Sequence, residues 1–257
     1  RMSEPSYIAD VAMTLVGALP INHPSGNIAS KRGQAGALVG KRVIITSGPT
    51  IEPIDKVRFI ANRSSGKQGH AIAAALASRG ANVTLVSGPV NETPPGHVSL
   101  VPVTTAAEML AACTNAIAGQ PTDIAICAAA VSDWRVKSAA SKKLKKPHDS
   151  SATMLLELSQ NPDILANLST SENRPKLVIG FAAETENLFE NARAKRRRKG
   201  CDWMIANQVG HDDDPVFGST TNKALMITER NVETWPKMRK TELAEKLADR
   251  IEAKISK

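Results

Sequence analysis

Short apolar runs alternate with longer amphipathic stretches from about residue 41 to the end of the chain. The apolar runs, rich in Val, Ile, Leu and Ala, predict strands at 42–46, 83–86, 98–103, 123–128, 154–158, 177–181, 203–206 and 224–227. Helical periodicity predicts helices at 71–77, 106–118, 162–168, 184–198 and 240–255. Such alternation is typical of an α/β fold with a doubly wound, mostly parallel sheet and helices on both faces.

The first 40 residues have a different character. Residues 1–19 predict a short helix, and residues 20–40 form a linker rich in Gly, Pro, Ser and Asn. The apolar run 8–19 is interrupted by Asp10 and is too short to span a bilayer. We therefore expect one main domain at 41–257, no membrane contact and a cytoplasmic protein.

Cysteine usage agrees with that compartment. The chain has three cysteines, Cys113, Cys127 and Cys201, widely spaced and without a CxxC pair. An odd number at such spacing indicates reduced thiols rather than a disulfide framework or a zinc site.

The polar loop at 62–69 lies between a predicted strand and a predicted helix. A loop that opens a helix presents backbone N–H groups at the positive end of the helix dipole, so it predicts an anion site. Two known phosphate motifs do not fit. The Walker A spacing fails because Ala61 stands at the first glycine and Gln68 at the Ser/Thr position. The G-x-G-x-x-G fingerprint fails because Ser64 precedes Gly66 and Gly69.

The loop is also similar to the nucleotide loop of short-chain dehydrogenases, which makes an NADP-dependent oxidoreductase an alternative. Those enzymes use a Tyr-x-x-x-Lys pair for proton transfer. The single tyrosine here is Tyr7, and Val11 stands at the lysine position. Likeness of fold alone is weak support for that function.

A basic run at 193–199 dominates the net charge of +8. Basic residues in the last turn of a helix are favourable to the helix dipole, so a solvated helix end is one interpretation. Lys195 and Lys199 lie four residues apart and share a helix face, which suits a phosphate or base ligand. A nucleic-acid binding module is the remaining alternative, although no zinc-finger or RNA motif accompanies the run.

Seven segments resemble the signature of phosphopantothenoylcysteine synthetases. They are GPTIEPID at 48–55, VRFI at 57–60, NRSSGK at 62–67, AAAVSDW at 128–134, KLKK at 143–146, NPDI at 161–164 and GFAAET at 180–185. They occur in the family's order across about residues 40–255. The first residues, Arg1 to Pro5 with Ile8, resemble the end of the flavin-dependent decarboxylase domain that bacteria fuse ahead of this synthetase.

The resemblance implies a Rossmann-like ligase of coenzyme A biosynthesis. Such enzymes join 4′-phosphopantothenate to L-cysteine through an acyl-cytidylate, converting CTP to CMP and pyrophosphate with Mg²⁺. FMN is expected only in the preceding decarboxylase domain. The resemblance further implies a homodimer built by a small projecting strand region, within a larger oligomer when the decarboxylase is present. It implies no nucleic acid partner.

The resemblance also implies site residues. Lys143, Asn62 and Arg58 are the expected catalytic residues, and Asn62 and Ala129 the expected substrate contacts. The expected nucleotide contacts are Ser64, Gly66, Ala128, Ala129, Ala130, Asp133, Lys143, Asn161, Pro162, Asp163, Ile164, Phe181, Lys195 and Lys199. Mg²⁺ is expected to be held mainly by the triphosphate, with Asp133 as a candidate ligand.

Several of these residues have purely structural alternatives. Lys143 fits a solvated basic loop, and Asn62 fits a turn or a helix cap. Asn161 fits an N-cap with Pro162 at the first helical position. Arg58 fits either an anionic ligand or a partner subunit.

Overall fold

A computed structural model of the chain describes residues 36–145, 153–209 and 219–256. The predicted helix at 1–19 and most of the linker lie outside the described residues, as does Lys146. The unit that contains the described residues spans Ala35–Lys257. The domain boundary at residue 40 stays a prediction.

An eight-stranded sheet forms the centre of this unit. The strands of the sheet are β1 Arg42–Ser47, β4 Asn82–Ser87, β5 Val98–Pro102, β6 Ile124–Cys127, β9 Leu177–Glu184, β10 Trp203–Gln208, β11 Thr221–Ile227 and β12 Val232–Arg239. Their order across the sheet is β12-β11-β10-β9-β6-β1-β4-β5. All neighbours from β10 to β5 pair in parallel, whereas β11 and β12 add an antiparallel edge. The predicted fold class is confirmed.

Helices cover both faces of the sheet. They are α1 Lys67–Ala77, α2 Ala106–Gly119, α3 Ile164–Thr170, α4 Leu188–Lys199 and α5 Lys240–Ile255. Because side chains alternate along a strand, Val43 and Ile45 of β1 face the core under α1 and α5, and Ile44 faces the core under α2, α3 and α4. The apolar runs of the sequence correspond to this two-sided burial.

Two small antiparallel sheets lie outside the central one. β2 Ile51–Pro53 pairs with β3 Phe59–Ala61, and β7 Trp134–Val136 pairs with β8 Leu158–Gln160. The sequence pattern predicted none of β2, β3 and β7, because three-residue strands leave too short a period to detect. We propose that these two pairs are the projecting strand region that the resemblance implies.

Two predicted elements differ from the structure, and one strand was not predicted. The predicted strand at 154–158 is wrong except at its last residue, because β8 begins at Leu158 and Leu155 is 94% exposed. The predicted helix at 184–198 begins too early. Glu184 still pairs with Gln208 in the sheet, and Asn187, with φ 45°, precedes the first turn of α4. The strand β12 was missed.

The start of α3 also differs. Asp163, not Asn161, is the N-cap, and its side chain accepts a hydrogen bond from Ala166 N. At the start of α2, Thr105 and Glu108 form a capping box.

Candidate active site

A cavity with a volume of about 720 Å³ lies at the carboxyl ends of β1, β6 and β9. β1 pairs with β4 on one side and β6 on the other, so the strand order reverses there. In doubly wound sheets ligands bind at this switch point. Most expected nucleotide contacts line the cavity, namely Ala129, Ala130, Asp133, Asn161, Pro162, Asp163, Ile164, Phe181, Lys195 and Lys199.

The segment 128–130 follows β6, and its residues Ala129 and Ala130 line this cavity. Ala128 N donates to Thr46 O at 3.1 Å and Ala130 N to Gly48 O at 2.9 Å, which extends the sheet pairing beyond β6. Ala129 N donates to Thr46 Oγ1 at 3.3 Å. Three methyl side chains on a fixed backbone leave room for a planar ring to approach closely.

The turn before α3 forms one side wall. Asn161 Nδ2 donates to Ser132 O at 2.8 Å, and Asn161 N donates to Asp133 O at 2.8 Å. Asn161 therefore joins two walls of the cavity, a role that replaces the expected helix cap. Pro162 and Ile164 complete this wall.

Two lysines of α4 supply positive charge opposite that turn. Lys195 lies 3.6 Å from Glu184, and Lys199 pairs with Asp163. The arginines of the basic run do not line this cavity. Arg196 donates to Cys201 O at 3.1 Å, closing the helix end, while Arg197 and Arg198 are exposed. The shared face predicted for the lysines is the one that lines the cavity.

Asn62 lies at the rim, where its Nδ2 donates to Val131 O at 2.8 Å. The exposed carboxylate of Asp133 lies on the same rim. An amide and a carboxylate thus face the same mouth of the cavity.

A smaller cavity of about 170 Å³ adjoins the first. Both are lined by Arg63, Ala129, Ala130, Phe181 and Ala183, so they share a wall. Ser64, Gly66 and Ala128 line the smaller cavity only, together with the first turn of α1. Gly66 is the N-cap with φ 75°, and it makes no side-chain cap hydrogen bond. The first turn of α1, at the positive end of the helix dipole, therefore borders the smaller cavity.

A buried polar cluster supports this loop from below. Ser47 Oγ donates to Gly66 O at 3.0 Å, and His70 Nδ1 lies 3.1 Å from both Ser47 Oγ and Gly66 O. The sequence gives no signal for the cluster because Ser47 and His70 are far apart in the chain.

Arg58 and Lys143 do not line either cavity. The Arg58 guanidinium is bound by Asp55, at 2.6 Å and 3.1 Å from Oδ2, and donates to Leu144 O at 3.0 Å. Leu144 N in turn donates to Asp55 Oδ2 at 3.0 Å. Hydrogen bonds from Arg58 and Leu144 hold the pKa of Asp55 well below its usual range. Asp55 and Arg58 thus hold the segment that contains Lys143 beside β2 and β3.

Comparison with known proteins places this geometry in a family. The family described as DNA/pantothenate metabolism flavoprotein C-terminal domain matches residues 38–255. The chain belongs to this family. The resemblance inferred from the seven segments is confirmed.

Relatives and a solved structure of the family agree. The coenzyme A biosynthesis bifunctional protein CoaBC of Escherichia coli strain K12 is 44% identical over 98% of this chain and 57% of its own length. CoaBC of Haemophilus influenzae is 41% identical over 83% of this chain and 52% of its own length. The chain thus spans just over half the length of these relatives.

The crystal structure of the C-terminal domain of CoaBC superimposes with a TM-score of 0.71. The identity is 37%, and the match covers 86% of this chain and 98% of that one.

The described residues of this chain contain no group of three His, Cys, Asp or Glu side chains able to hold a metal ion. None of the helices within 36–145, 153–209 and 219–256 is long and apolar enough to cross a bilayer.

The sequence alone did not identify several residues that line the two cavities. In the main cavity these are Arg63, Trp134 and Gln160, and in the smaller one Asn207, Asn222 and Lys240. Arg63 and Trp134 stood inside matched segments and could have been named. The other four come from strand ends and a helix start that only the folded sheet brings together.

Proposed function

We propose that the chain joins 4′-phosphopantothenate to L-cysteine, consuming CTP through an acyl-cytidylate. The observation that carries the proposal is the convergence of the 128–130 backbone, the 161–164 turn and two lysines of α4 on one cavity at the switch point of the sheet. Membership of the family and the names of its CoaBC relatives support the same activity. Because those relatives are longer, the activity is proposed for this part of such a protein.

The main cavity suits a nucleoside. Small side chains at 128–130 allow a base to lie against the backbone, and Phe181 offers an aromatic surface beside it. Peptide groups of the 161–164 turn provide fixed donors and acceptors for base or ribose. Lys195 and Lys199, both half-buried, supply positive charge toward the α-phosphate.

The polyphosphate extends from there into the smaller cavity. Ser64, Gly66 and the first turn of α1 surround this space, where backbone N–H groups and the helix dipole favour anions. Ser47 and His70 fix the Gly66 carbonyl on the far side of the loop, so the N–H groups stay turned toward the cavity.

The first reaction step forms an anhydride. A carboxylate oxygen of 4′-phosphopantothenate attacks the α-phosphorus of CTP, the bond to the β-phosphate breaks, and pyrophosphate leaves. Negative charge grows on phosphoryl oxygens, so fixed cations and N–H dipoles lower the barrier. Asn62 at the rim is suited to orient the reacting carboxylate by its amide.

The second step forms the amide. The amine of L-cysteine attacks the acyl carbon, the C–O bond to the phosphate breaks, CMP leaves, and the amine gives up a proton. The Asn62 amide is in reach of the mouth where the carbonyl oxygen becomes an oxyanion, so one side chain serves both steps.

Lys143 requires a movement to act at the phosphate. It is exposed and lies on a segment fastened by Ala140 N to Ile54 O at 2.9 Å and by Leu144 N to Asp55. We propose that this segment swings toward the cavity when nucleotide binds, as closing loops do in other enzymes. Arg58 then acts by holding the segment's base and not by direct contact in this chain.

Mg²⁺ fits this site as a companion of the triphosphate. The described residues lack a three-ligand protein cage, and Mg²⁺ commonly binds through phosphate oxygens and few carboxylates. Asp133, exposed at the rim, is the carboxylate available to complete its shell. When bound, the ion supplies charge neutralisation at the phosphates.

A homodimer is proposed on the projecting strands. Large apolar side chains are exposed there, among them Val57 at 58%, Phe59 at 56%, Trp134 at 46% and Leu158 at 42%. Apolar surface concentrated in this way marks an interaction site. In a longer protein that includes the preceding decarboxylase domain, that domain would bind FMN. The dimer would then be part of a larger oligomer.

The test is pyrophosphate release by the purified chain with Mg²⁺, 4′-phosphopantothenate and either CTP or ATP. We expect release that prefers CTP and becomes a steady turnover only when L-cysteine is added. Lys199→Gln should lower kcat/KM for CTP by about 10-fold or more, the scale of one lost charge contact of about 1.4 kcal/mol. Its exposed neighbour provides the control, since Arg198→Gln should change turnover little.

Two results would count against the function. Absence of release with either nucleotide from folded protein would refute the ligase. Loss of activity in Arg198→Gln equal to that in Lys199→Gln would favour a role for the whole basic run, as in nucleic-acid binding.

A further inference from the structure

The far wall of the smaller cavity comes from a part of the chain that lies outside the seven signature segments. Asn222 of β11 and Lys240, the first residue of α5, both line it. The wall is rigidly attached to the loop opposite. Gln68 Nε2 of α1 donates to Lys240 O at 3.2 Å, and Lys240 N donates to Thr220 O at 2.9 Å.

Helices α1 and α5 run side by side in the same direction. Their first turns are joined by Gln68 and Lys240. Just past the end of α1, Arg79 pairs with Glu245 at 2.8 Å and Asp249 at 2.6 Å, further along α5. The positive ends of both helix dipoles therefore meet at the smaller cavity.

The Lys240 side chain is half-buried at this wall. Within 36–145, 153–209 and 219–256, no carboxylate forms a salt bridge with it. Burial lowers the pKa of Lys240, and the charge of nearby Lys67 lowers it further, with Glu92 acting in the opposite sense. Burial disfavours the charged form of this ammonium, and an anion in the cavity beside it favours that form.

The structure assigns Lys240 to the polyphosphate end of the nucleotide: we propose that its ammonium binds the β- and γ-phosphates of CTP and then the pyrophosphate product. This inference rests on the proposed function. Lys240 would thereby distinguish a nucleoside triphosphate from a monophosphate, because the β- and γ-phosphates alone reach this wall.

The arrangement of the cavities supports this position. The space of about 170 Å³ is too small for a nucleoside but suits a small anion. It opens beside Ala129 and Ala130, which it shares with the main cavity. A ligand whose base lies in the main cavity thus points its phosphates toward Lys240.

Calorimetric titration of Lys240→Gln with four probes tests the assignment. With Mg²⁺ present, we expect affinity for CTP and for inorganic pyrophosphate to fall by 10-fold or more. Affinity for CMP and for 4′-phosphopantothenate should stay within 2-fold. Lys240→Arg should retain most of the CTP affinity. Lys254→Gln, an exposed lysine at the other end of α5, is the matched control and should leave all four unchanged.

Three outcomes would overturn the assignment. These are unchanged CTP affinity in Lys240→Gln, equal weakening of CTP and CMP, and selective weakening of 4′-phosphopantothenate. The first two deny a phosphate-specific contact, and the third assigns Lys240 to the other substrate. Failure of the proposed ligase function gives a different result, because the wild-type chain would then release no pyrophosphate from CTP. Binding of pyrophosphate that depends on Lys240 would still support the anion site in that case.

Discussion

Gly69 shows how closely the loop at 62–69 is fitted to the sheet beside it. A Cβ at this position would lie 2.4 Å from Ser47 Oγ and 3.2 Å from Ser47 Cα. Ser47 is fully buried and holds the Gly66 carbonyl, so it has no room to yield. The glycine is therefore required by close approach of α1 to β1, and not by backbone conformation.

Gly69→Ala tests this fit. Overpacking costs about 1–3 kcal/mol, against a gain of up to about 1 kcal/mol in helix propensity, so we expect a net loss on the order of 1 kcal/mol. CTP affinity should fall as the loop shifts. Urea unfolding measures the first and titration the second.

Gly119→Ala is the matched control, since Gly119 is also helical and a Cβ there meets nothing within 4 Å. It should be neutral or stabilising. A Gly69→Ala variant as stable as Gly119→Ala would contradict the account.

At the scale of single residues, sequence patterns indicate function where the chemistry is local. The loop at 62–69 was predicted as an anion site from its own residues, and this stays a prediction. The Ser47–His70 contact and Lys240 were not, because each depends on which strand ends lie side by side. Such neighbours follow from sheet order, which alternation alone does not determine.

The segment around Lys143 shows how an element is held from outside. Asp55 accepts hydrogen bonds from Arg58, Leu144 N and Val57 N and so joins the hairpin of β2 and β3 to residues 140–144. The lowered pKa of Asp55 means that its carboxylate stabilises the fold above its unfolded pKa of about 3.9. This contribution is lost only as the pH falls through the lower folded value. The tether should be equally intact at pH 5 and pH 7.

Asp55→Asn should release this segment. We expect trypsin to cleave the native protein at Lys142, Lys143 or Lys145 roughly tenfold faster, because local opening controls native-state proteolysis. Peptide mapping by mass spectrometry locates the cuts. Ligase turnover should fall, while CTP binding should change less.

The exposed pair of Lys137 and Glu157 supplies the control, since both side chains are more than half exposed and such pairs contribute little. Glu157→Gln should be cleaved at the wild-type rate. If Asp55→Asn were cleaved no faster than Glu157→Gln, the tether would not control this segment.

At the scale of elements, the helices and the strands of the central sheet other than β12 were predictable from their apolar patterns. Errors occur where that signal fails. The apolar residues at 154–156 indicated a strand, yet they are exposed, with Leu155 at 94%. The start of α4 was placed at Glu184 because an amphipathic pattern does not show where sheet pairing ends.

At the scale of the molecule, these exposed residues form part of one apolar region. Met154, Leu155 and Leu156 precede β8, and Trp134 and Leu158 lie on β7 and β8. If a second copy of the chain covers them, the apolar pattern at 154–158 reflects burial at an interface and not burial within a strand of this chain. A surface of this kind favours association in water.

Sedimentation measures that association. We expect a mass about twice 27.4 kDa for the wild-type chain at micromolar concentration. Leu155→Asp combined with Leu158→Asp should shift it to the monomer, because burying unpaired carboxylates is unfavourable. Leu100→Asp, on the edge strand β5 and 41% exposed, should remain dimeric. A monomeric wild type, or dissociation caused equally by Leu100→Asp, would contradict the proposed face.

The central claim is that the carboxylate of 4′-phosphopantothenate attacks the α-phosphate of CTP at this site. Transfer of ¹⁸O from labelled carboxylate tests it most directly, with products read by mass spectrometry after L-cysteine is added. The account predicts one ¹⁸O in each CMP and none in pyrophosphate. Label in inorganic phosphate would mean attack at the γ-phosphate, and amide formed with unlabelled CMP would contradict the acyl-cytidylate.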